Sequence, residues 1–255
     1  MTSSVAKNWE EVFKHHGAYE TKDVGKEFFL RYQNSAYIQS MLNFAKIKKG
    51  KILEAGCGSG KFSVTLATLG FEVWALDYSD KVLENVKKLA AAAEVFFGPL
   101  KLNLLKGDLT NLSLKRNFFD ITFNEGVVEH WLIKKERLNV IKQMMSVTKV
   151  DGVVAIFVPN GFHPFHKWWV FSSFRGYLTA PPMTLYSVNK LKKEMQEVGL
   201  AALKSDGFDS YYSINKWPYL ARFDYPLGFL EKNIKPPKFF RETFGLNIGG
   251  FGKKV

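Results

Sequence analysis

Three glycines recur at alternate positions in Ile52-Leu53-Glu54-Ala55-Gly56-Cys57-Gly58-Ser59-Gly60, immediately after a short apolar run. Glycine lets a chain turn sharply and approach a ligand closely. The spacing fits neither common phosphate-binding turn. A dinucleotide turn, G-x-G-x-x-G, needs glycine where Lys61 stands. A P-loop needs glycine at Ala55 and a hydroxyl at Phe62. Two acids follow at the ends of the next apolar runs. A carboxylate at Asp77 can accept from both hydroxyls of a ribose, and one at Asp108 from a purine amino group. Singly, each acid is also readable as a helix cap or a surface group. Together with Glu54, beside a glycine turn, they point to a nucleotide-like ligand at one edge of a parallel sheet.

A second group could move protons. It lies in Asp120-Ile-Thr-Phe-Asn124-Glu125-Gly-Val-Val-Glu129-His130. His130 is the best-placed general base, and a structural histidine bonded to the backbone is an equal reading. Glu125 and Glu129 are the alternative bases. His163 and His166 sit in an aromatic stretch, where packing competes with substrate contact. His15 and His16 read as helix surface. The single cysteine, Cys57, excludes an intramolecular disulfide, a CxxC pair and a multi-cysteine zinc site. No metal site is expected.

The elements that must position these residues alternate between about 50 and 158. Strands are expected at Lys51–Ala55, Val73–Leu76, Leu102–Leu105, Asp120–Phe123 and Val153–Val158. Helices are expected over 62–69, from a Ser79 cap to about Glu94, and over 135–148. Such alternation predicts an α/β, Rossmann-like, seven-stranded and mostly parallel sheet with helices on both faces. A helix is expected over 187–198, and Leu200–Lys204 and Leu246–Gly250 read as short edge strands. The chain divides as a single domain, 1–255, with an N-terminal helical cap at 1–46 and a core at 50–160. Two insertions, 161–186 and 210–243, hold seven of the nine prolines along with Trp168, Trp169 and Trp217.

Over about residues 50–160, with a continuation to 205, the sequence resembles the class I S-adenosylmethionine-dependent methyltransferases. Within that family it is similar to the branch that includes ubiquinone and menaquinone biosynthesis (methyltransferase type 11/25). The resemblance rests on Glu54 through Gly60, on Asp77, on Asp108-Leu109, on the V-x-E-H element ending at His130, and on Tyr186 through Leu200. It implies S-adenosyl-L-methionine as cofactor. It implies that Glu54, Gly56, Cys57, Gly58 and Gly60 form the cofactor loop, with Glu54 and backbone carbonyls near the ammonium. Asp77 would hold the ribose, with Tyr78, Asp108 and Leu109 around the adenine. Main-chain carbonyls of Asn124 or Glu125 would lie near the sulfonium methyl. His130 and Glu125 are the implied catalytic candidates.

Composition narrows the acceptor. The chain carries 36 Lys and Arg against 24 Asp and Glu, and 15% of its residues are aromatic. The charge is spread along the sequence, and residues 51–100 are slightly acidic. No basic arm or nucleic-acid module is visible, so an RNA- or protein-modifying enzyme is the alternative rather than the leading reading. Many aromatics fall in the two insertions, which favours a small-molecule acceptor that is apolar or aromatic, with an anionic or lipid-like one as a variant. The N-terminus lacks a signal-like apolar core, and no apolar run approaches the length of a membrane span. A cytoplasmic protein without a transmembrane segment is therefore expected.

Overall fold

The computed structural model describes Trp9, residues 24–163, His166, residues 182–210 and residues 236–255. His15, His16, Trp168, Trp169 and Trp217 lie outside the described residues, as does most of both insertions. The central sheet has seven strands: β1 Lys51–Ala55, β2 Glu72–Asp77, β3 Leu102–Lys106, β4 Phe119–Glu125, β5 Thr148–Pro159, β6 Leu200–Phe208 and β7 Asn247–Lys254. Their spatial order is β3-β2-β1-β4-β5-β7-β6. The first five run parallel, and β7 lies antiparallel between β5 and β6. The order reverses between β1 and β4, and open parallel sheets bind ligands at such a switch point.

The helices are α1 Lys26–Gln33, α2 Ala36–Ala45, α3 Lys61–Thr68, α4 Asp80–Phe97, α5 Lys134–Val147, α6 Val188–Glu197 and α7 Lys238–Phe244. Their starts follow from local chemistry. The hydroxyls of Ser35, Ser79 and Ser187 accept from the N–H three residues on, at Ile38, Val82 and Lys190, and so cap α2, α4 and α6. Helices α1 to α4 cover one sheet face. Phe29 of α1, Val64 of α3 and Val86 of α4 meet Ala75 there, while Tyr37 and Met41 of α2 pack with Ile52 and Phe157. Helices α5 and α6 cover the other, where Ile141, Met144, Leu191 and Met195 meet Leu53 and Ile156. Residues alternate between the faces along each strand, as pleating requires.

The expectation of an edge strand at Leu246–Gly250 is corrected: β7 is an interior strand and β6 forms the edge. Glycine ordinarily weakens a strand, but it also marks close approach by a neighbour. A Cβ on Gly249 would stand 2.8 Å from the rings of both Phe157 and Phe208, and one on Gly250 would stand 2.6 Å from Met195 Sδ. The absent side chains let aromatic rings close over one face of β7 and α6 over the other. Phe208 in turn stacks on Tyr37 with 4.6 Å between ring centres. Gly249→Val should overpack this layer and cost about 1–3 kcal/mol. Thermal unfolding should show Tm lowered by several degrees. An unchanged Tm would mean that the rings can move aside.

Candidate functional site

The carboxyl ends of β1, β2 and β4 meet at the glycine turn. The N–H groups of Gly56 and Cys57 both donate to the Leu76 carbonyl, at 2.8 and 2.9 Å, which ties the turn to the end of β2. Gly58 has φ 47°, in the left-handed region, and a Cβ there would meet nothing within 4 Å. Its N–H donates to Asp77 Oδ2 at 3.1 Å, and the N–H of Ser79 donates to Asp77 Oδ1 at 3.1 Å. Burial raises the Asp77 carboxyl pKa, against the lowering effect of these backbone donors. Tyr78 follows Asp77 and is half-buried.

Gly56 and Gly60 serve packing. A Cβ on Gly56 would stand 2.8 Å from Val127 Cγ2 and 3.6 Å from Leu109 Cδ1. The turn, the loop after β3 and the loop after β4 therefore converge on Gly56. A Cβ on Gly60 would stand 2.7 Å from Val86 of α4, so this position sets how closely α3 and α4 approach. Asp108 accepts from the N–H and the hydroxyl of Thr110, both at 2.8 Å, which shapes the loop that buries Leu109. Cys57 is a buried thiol whose pKa is pushed up by burial and then by Asp77.

Glu54 was expected at a ligand ammonium. Its Oε2 faces α3, where it accepts from the Ser63 N–H at 2.9 Å and from the Ser63 hydroxyl. The side chain is 2% exposed, and burial raises its pKa to about 8. Asn124 is also buried. Its amide Nδ2 lies 3.4 Å from Met144 Sδ, on the α5 face, and its Oδ1 has no hydrogen-bond partner among the described residues.

The V-x-E-H element forms a single 3-10 turn, Val128–His130, directly after β4. His130 Nδ1 lies 3.3 Å from the Pro182 carbonyl oxygen. A carbonyl can only accept, so Nδ1 carries the hydrogen and Nε2 the lone pair. Nε2 faces Glu129 Oε1 at 3.9 Å. The ring of Trp9 meets that of His130 edge-on at 5.0 Å. Burial lowers the His130 pKa to about 4, and burial raises that of Glu129 to about 8. At the end of β4, Glu125 pairs with Lys61 of α3 at 3.4 Å. Asp120, at the other end of β4, accepts from the Lys51 N–H and pairs with Lys149, so it takes no part in the site. Among the described residues, no group of three or more His, Cys, Asp or Glu side chains could hold a metal.

Several contacts around the site join residues far apart in the chain and carry no sequence signal. Tyr37 of α2 donates to Asp209 and accepts from Asn247 at 2.7 Å, which links the N-terminal cap to the ends of β6 and β7. Residues 182–186 form a strap beside the 3-10 turn. Pro182 holds His130, the Thr184 N–H donates to the Glu129 carbonyl at 2.7 Å, and Tyr186 bridges to Asn160. A buried ion pair anchors the strap. Arg137 of α5 meets both carboxylate oxygens of Glu194 of α6 and also donates to Thr184 Oγ1 and the Trp131 and Leu132 carbonyls. Tyr186 donates to Glu194 at 2.6 Å. His163 and His166 are buried beside this region, with His166 Nδ1 3.1 Å from the Asn160 carbonyl oxygen.

Residues 53–156 match the family described as a methyltransferase domain. The chain is 27% identical over 174 residues to the mitochondrial ubiquinone biosynthesis O-methyltransferase of Schizosaccharomyces pombe, covering 55% of this chain and 62% of that protein. It is 28% identical over 129 residues to a malonyl-[acyl-carrier protein] O-methyltransferase of Hamiltonella defensa, covering 48% and 45%. It is also 28% identical over 109 residues to a tRNA (carboxymethyluridine(34)-5-O)-methyltransferase of Saccharomyces cerevisiae, covering 41% and 34%. The chain thus spans less than two thirds of each of these relatives. Among solved structures, an S-adenosylmethionine-dependent methyltransferase of Thermotoga maritima, described as a possible histamine N-methyltransferase, superposes with a TM-score of 0.61 at 16% identity. That match covers 98% of this chain and 100% of that one, and it shows a shared fold.

Two predictions follow from the buried charges. The native state holds a proton on Glu54 that the unfolded chain releases in the usual carboxylate range. The stability this gives is therefore present below that range and is lost as pH rises through about 8. Glu54→Gln should remove the dependence. Between about pH 5 and about pH 8.5, the Tm difference should move in the variant's favour, and a constant difference would refute the assignment. Arg137→Ala leaves Glu194 buried without its partner. Denaturant unfolding should show a loss of about 3–5 kcal/mol, and a loss below about 1 kcal/mol, the scale of a surface pair, would mean that the pair is not buried.

Proposed function

We propose that the protein, whose residues 53–156 match a methyltransferase domain, transfers a methyl group from S-adenosyl-L-methionine to a small-molecule acceptor of apolar or aromatic character. The observation that carries the reading is the Asp77 carboxylate latched to the Gly58 N–H at the switch point of the sheet. A ribose edge placed there finds a half-buried acceptor, and the open left-handed position at Gly58 gives the ligand room. Leu109, Asp108 and Tyr78 stand where an adenine would follow. Glu54 holds α3 against β1 and so sets the N-terminus of that helix, which favours a carboxylate.

When bound, the cofactor supplies a methyl carbon already activated by a positive sulfur. The protein's part is then alignment and exclusion of water. The 3-10 turn, the strap and Glu125 border the end of β4, where the acceptor would enter. The ionisable groups described around this edge include the acids Asp77, Asp108, Glu125 and Asp209, with Glu129 held neutral by burial, against Lys61 and the Asp80-paired Lys106. That balance supports a neutral or cationic acceptor over the anionic variant, because the excess of basic residues is not focused here. It also weighs against RNA, the alternative class. No helix among the described residues is long and apolar enough to cross a membrane.

Calorimetry with S-adenosylmethionine tests the reading. Asp77→Ala should weaken binding about tenfold to a hundredfold, the value of one or two hydrogen bonds to a charged group. Gly58→Val should weaken it comparably, since a β-branched residue is strained at positive φ. Undiminished binding in both variants would refute the assignment. Labelled methyl transfer should go to phenol or amine acceptors and not to bulk tRNA; transfer to tRNA alone would establish the RNA reading instead.

A further inference from the structure

We propose that Glu129 is the group that takes the proton from the methyl acceptor, an inference that rests on the methyltransferase reading above. Its carboxylate folds back over the carboxyl end of β4, where a Cβ on Gly126 would stand 3.8 Å from Oε1. Two residues before it, Val127 touches the glycine turn at Gly56. The side chain is 1% exposed, yet its Oε2 has no hydrogen-bond partner among the described residues. Buried polar atoms are nearly always paired, so an orphaned carboxylate oxygen beside a ligand bed marks a place where a ligand completes the pairing.

The neighbouring candidates are committed elsewhere. The Glu125 carboxylate is held by Lys61 at 3.4 Å. His130 keeps its hydrogen on Nδ1, toward Pro182, and burial holds its pKa at about 4, so it accepts protons poorly near neutrality. Its Nε2 faces Glu129 Oε1 at 3.9 Å, longer than a hydrogen bond. The other titratable groups around Glu129 are Glu125 on β4 and Tyr186 in the strap, with Glu194 and Arg137 behind Tyr186. Burial makes Glu129 an acid with a pKa of about 8, and a cation seated beside it would return it to the carboxylate. Cofactor binding would thus arm the base.

The step balances. The acceptor X–H bond breaks, its electron pair forms the X–CH3 bond, the C–S pair returns to sulfur, and the proton forms an O–H bond at Glu129 Oε2. The sulfonium and the carboxylate become a neutral thioether and a neutral acid. The acceptor is thereby one that loses a proton, such as a phenol or an ammonium, rather than one already deprotonated.

Calorimetry of the full chain with S-adenosylmethionine and with S-adenosylhomocysteine, near pH 7 in two buffers of different ionisation enthalpy, counts protons released on binding. The readout is wild type minus Glu129→Gln. With the cationic cofactor the difference should approach about nine-tenths of a proton, the fraction held by a group of pKa about 8. With the neutral product it should be near zero. His130→Asn should retain the release. Binding of both ligands with equal proton counts in wild type and Glu129→Gln would overturn the role of Glu129 and leave the methyltransferase reading intact. Failure of wild type to bind either ligand would overturn both. With an acceptor in hand, Glu129→Gln should lower kcat at least about a hundredfold while still binding S-adenosylhomocysteine.

Discussion

The Gly58 N–H donates to the carboxylate of Asp77, and the rest of the sheet edge is arranged around that contact. Parallel strands end with backbone groups that the ladder no longer satisfies. Here the first loop supplies its N–H groups to the end of the second strand: two to the Leu76 carbonyl and one to Asp77. This requires a chain that reverses within a few residues, hence positive φ at Gly56, Gly58 and Gly60. Once the turn is fixed, Gly56 determines how near Leu109 and Val127 can come, and Gly60 determines the spacing of α3 and α4. Side-chain size at two glycines thereby sets how closely the loops and helices approach the turn.

Burial governs the ionisation of the groups around that bed. A lone carboxylate in a low-dielectric interior is costly, and the protein answers in two ways. Glu54 and Glu129 become weak acids that stay protonated near neutrality, while His130 becomes a weak base that stays neutral. Glu194, by contrast, remains ionised because Arg137 meets both of its oxygens and Tyr186 donates to it as well. Glu129 and His130 stay neutral beside the end of β4, and the Arg137–Glu194 pair lies behind the strap. The arrangement separates a part of the molecule that can gain or lose a proton from a part that cannot.

The strap at 182–186 connects the two. It supplies the carbonyl that selects the tautomer of His130 and the N–H that holds Glu129, and it is itself anchored by Arg137. An ion pair between α5 and α6 therefore positions Glu129 and His130, with which it makes no direct contact. The N-terminal cap contributes in the same indirect way, through Tyr37 and its bonds to Asp209 and Asn247 at the far side of the sheet.

The sequence by itself determined the alternation of strands and helices, the serine caps, and the presence of a glycine turn with acids at successive strand ends. These are local properties: hydrophobic period, capping chemistry and the freedom of glycine act over a few residues. It also carried the resemblance to a methyltransferase family, because spacing within the motif is a local property too. Only the tertiary structure decided what each group does. Glu54 could have faced a ligand, and Ser63, nine residues on, draws it into α3. His130 looked like the better base, and a carbonyl at Pro182, 52 residues away, fixes its tautomer while burial weakens it. Leu246–Gly250 read as a short edge strand. Phe157, Phe208 and Met195, distant in sequence, make it an interior one. In each case the deciding neighbour is brought near by packing, and both the dielectric around a group and its hydrogen-bond partners are set by such neighbours rather than by residues adjacent in the chain.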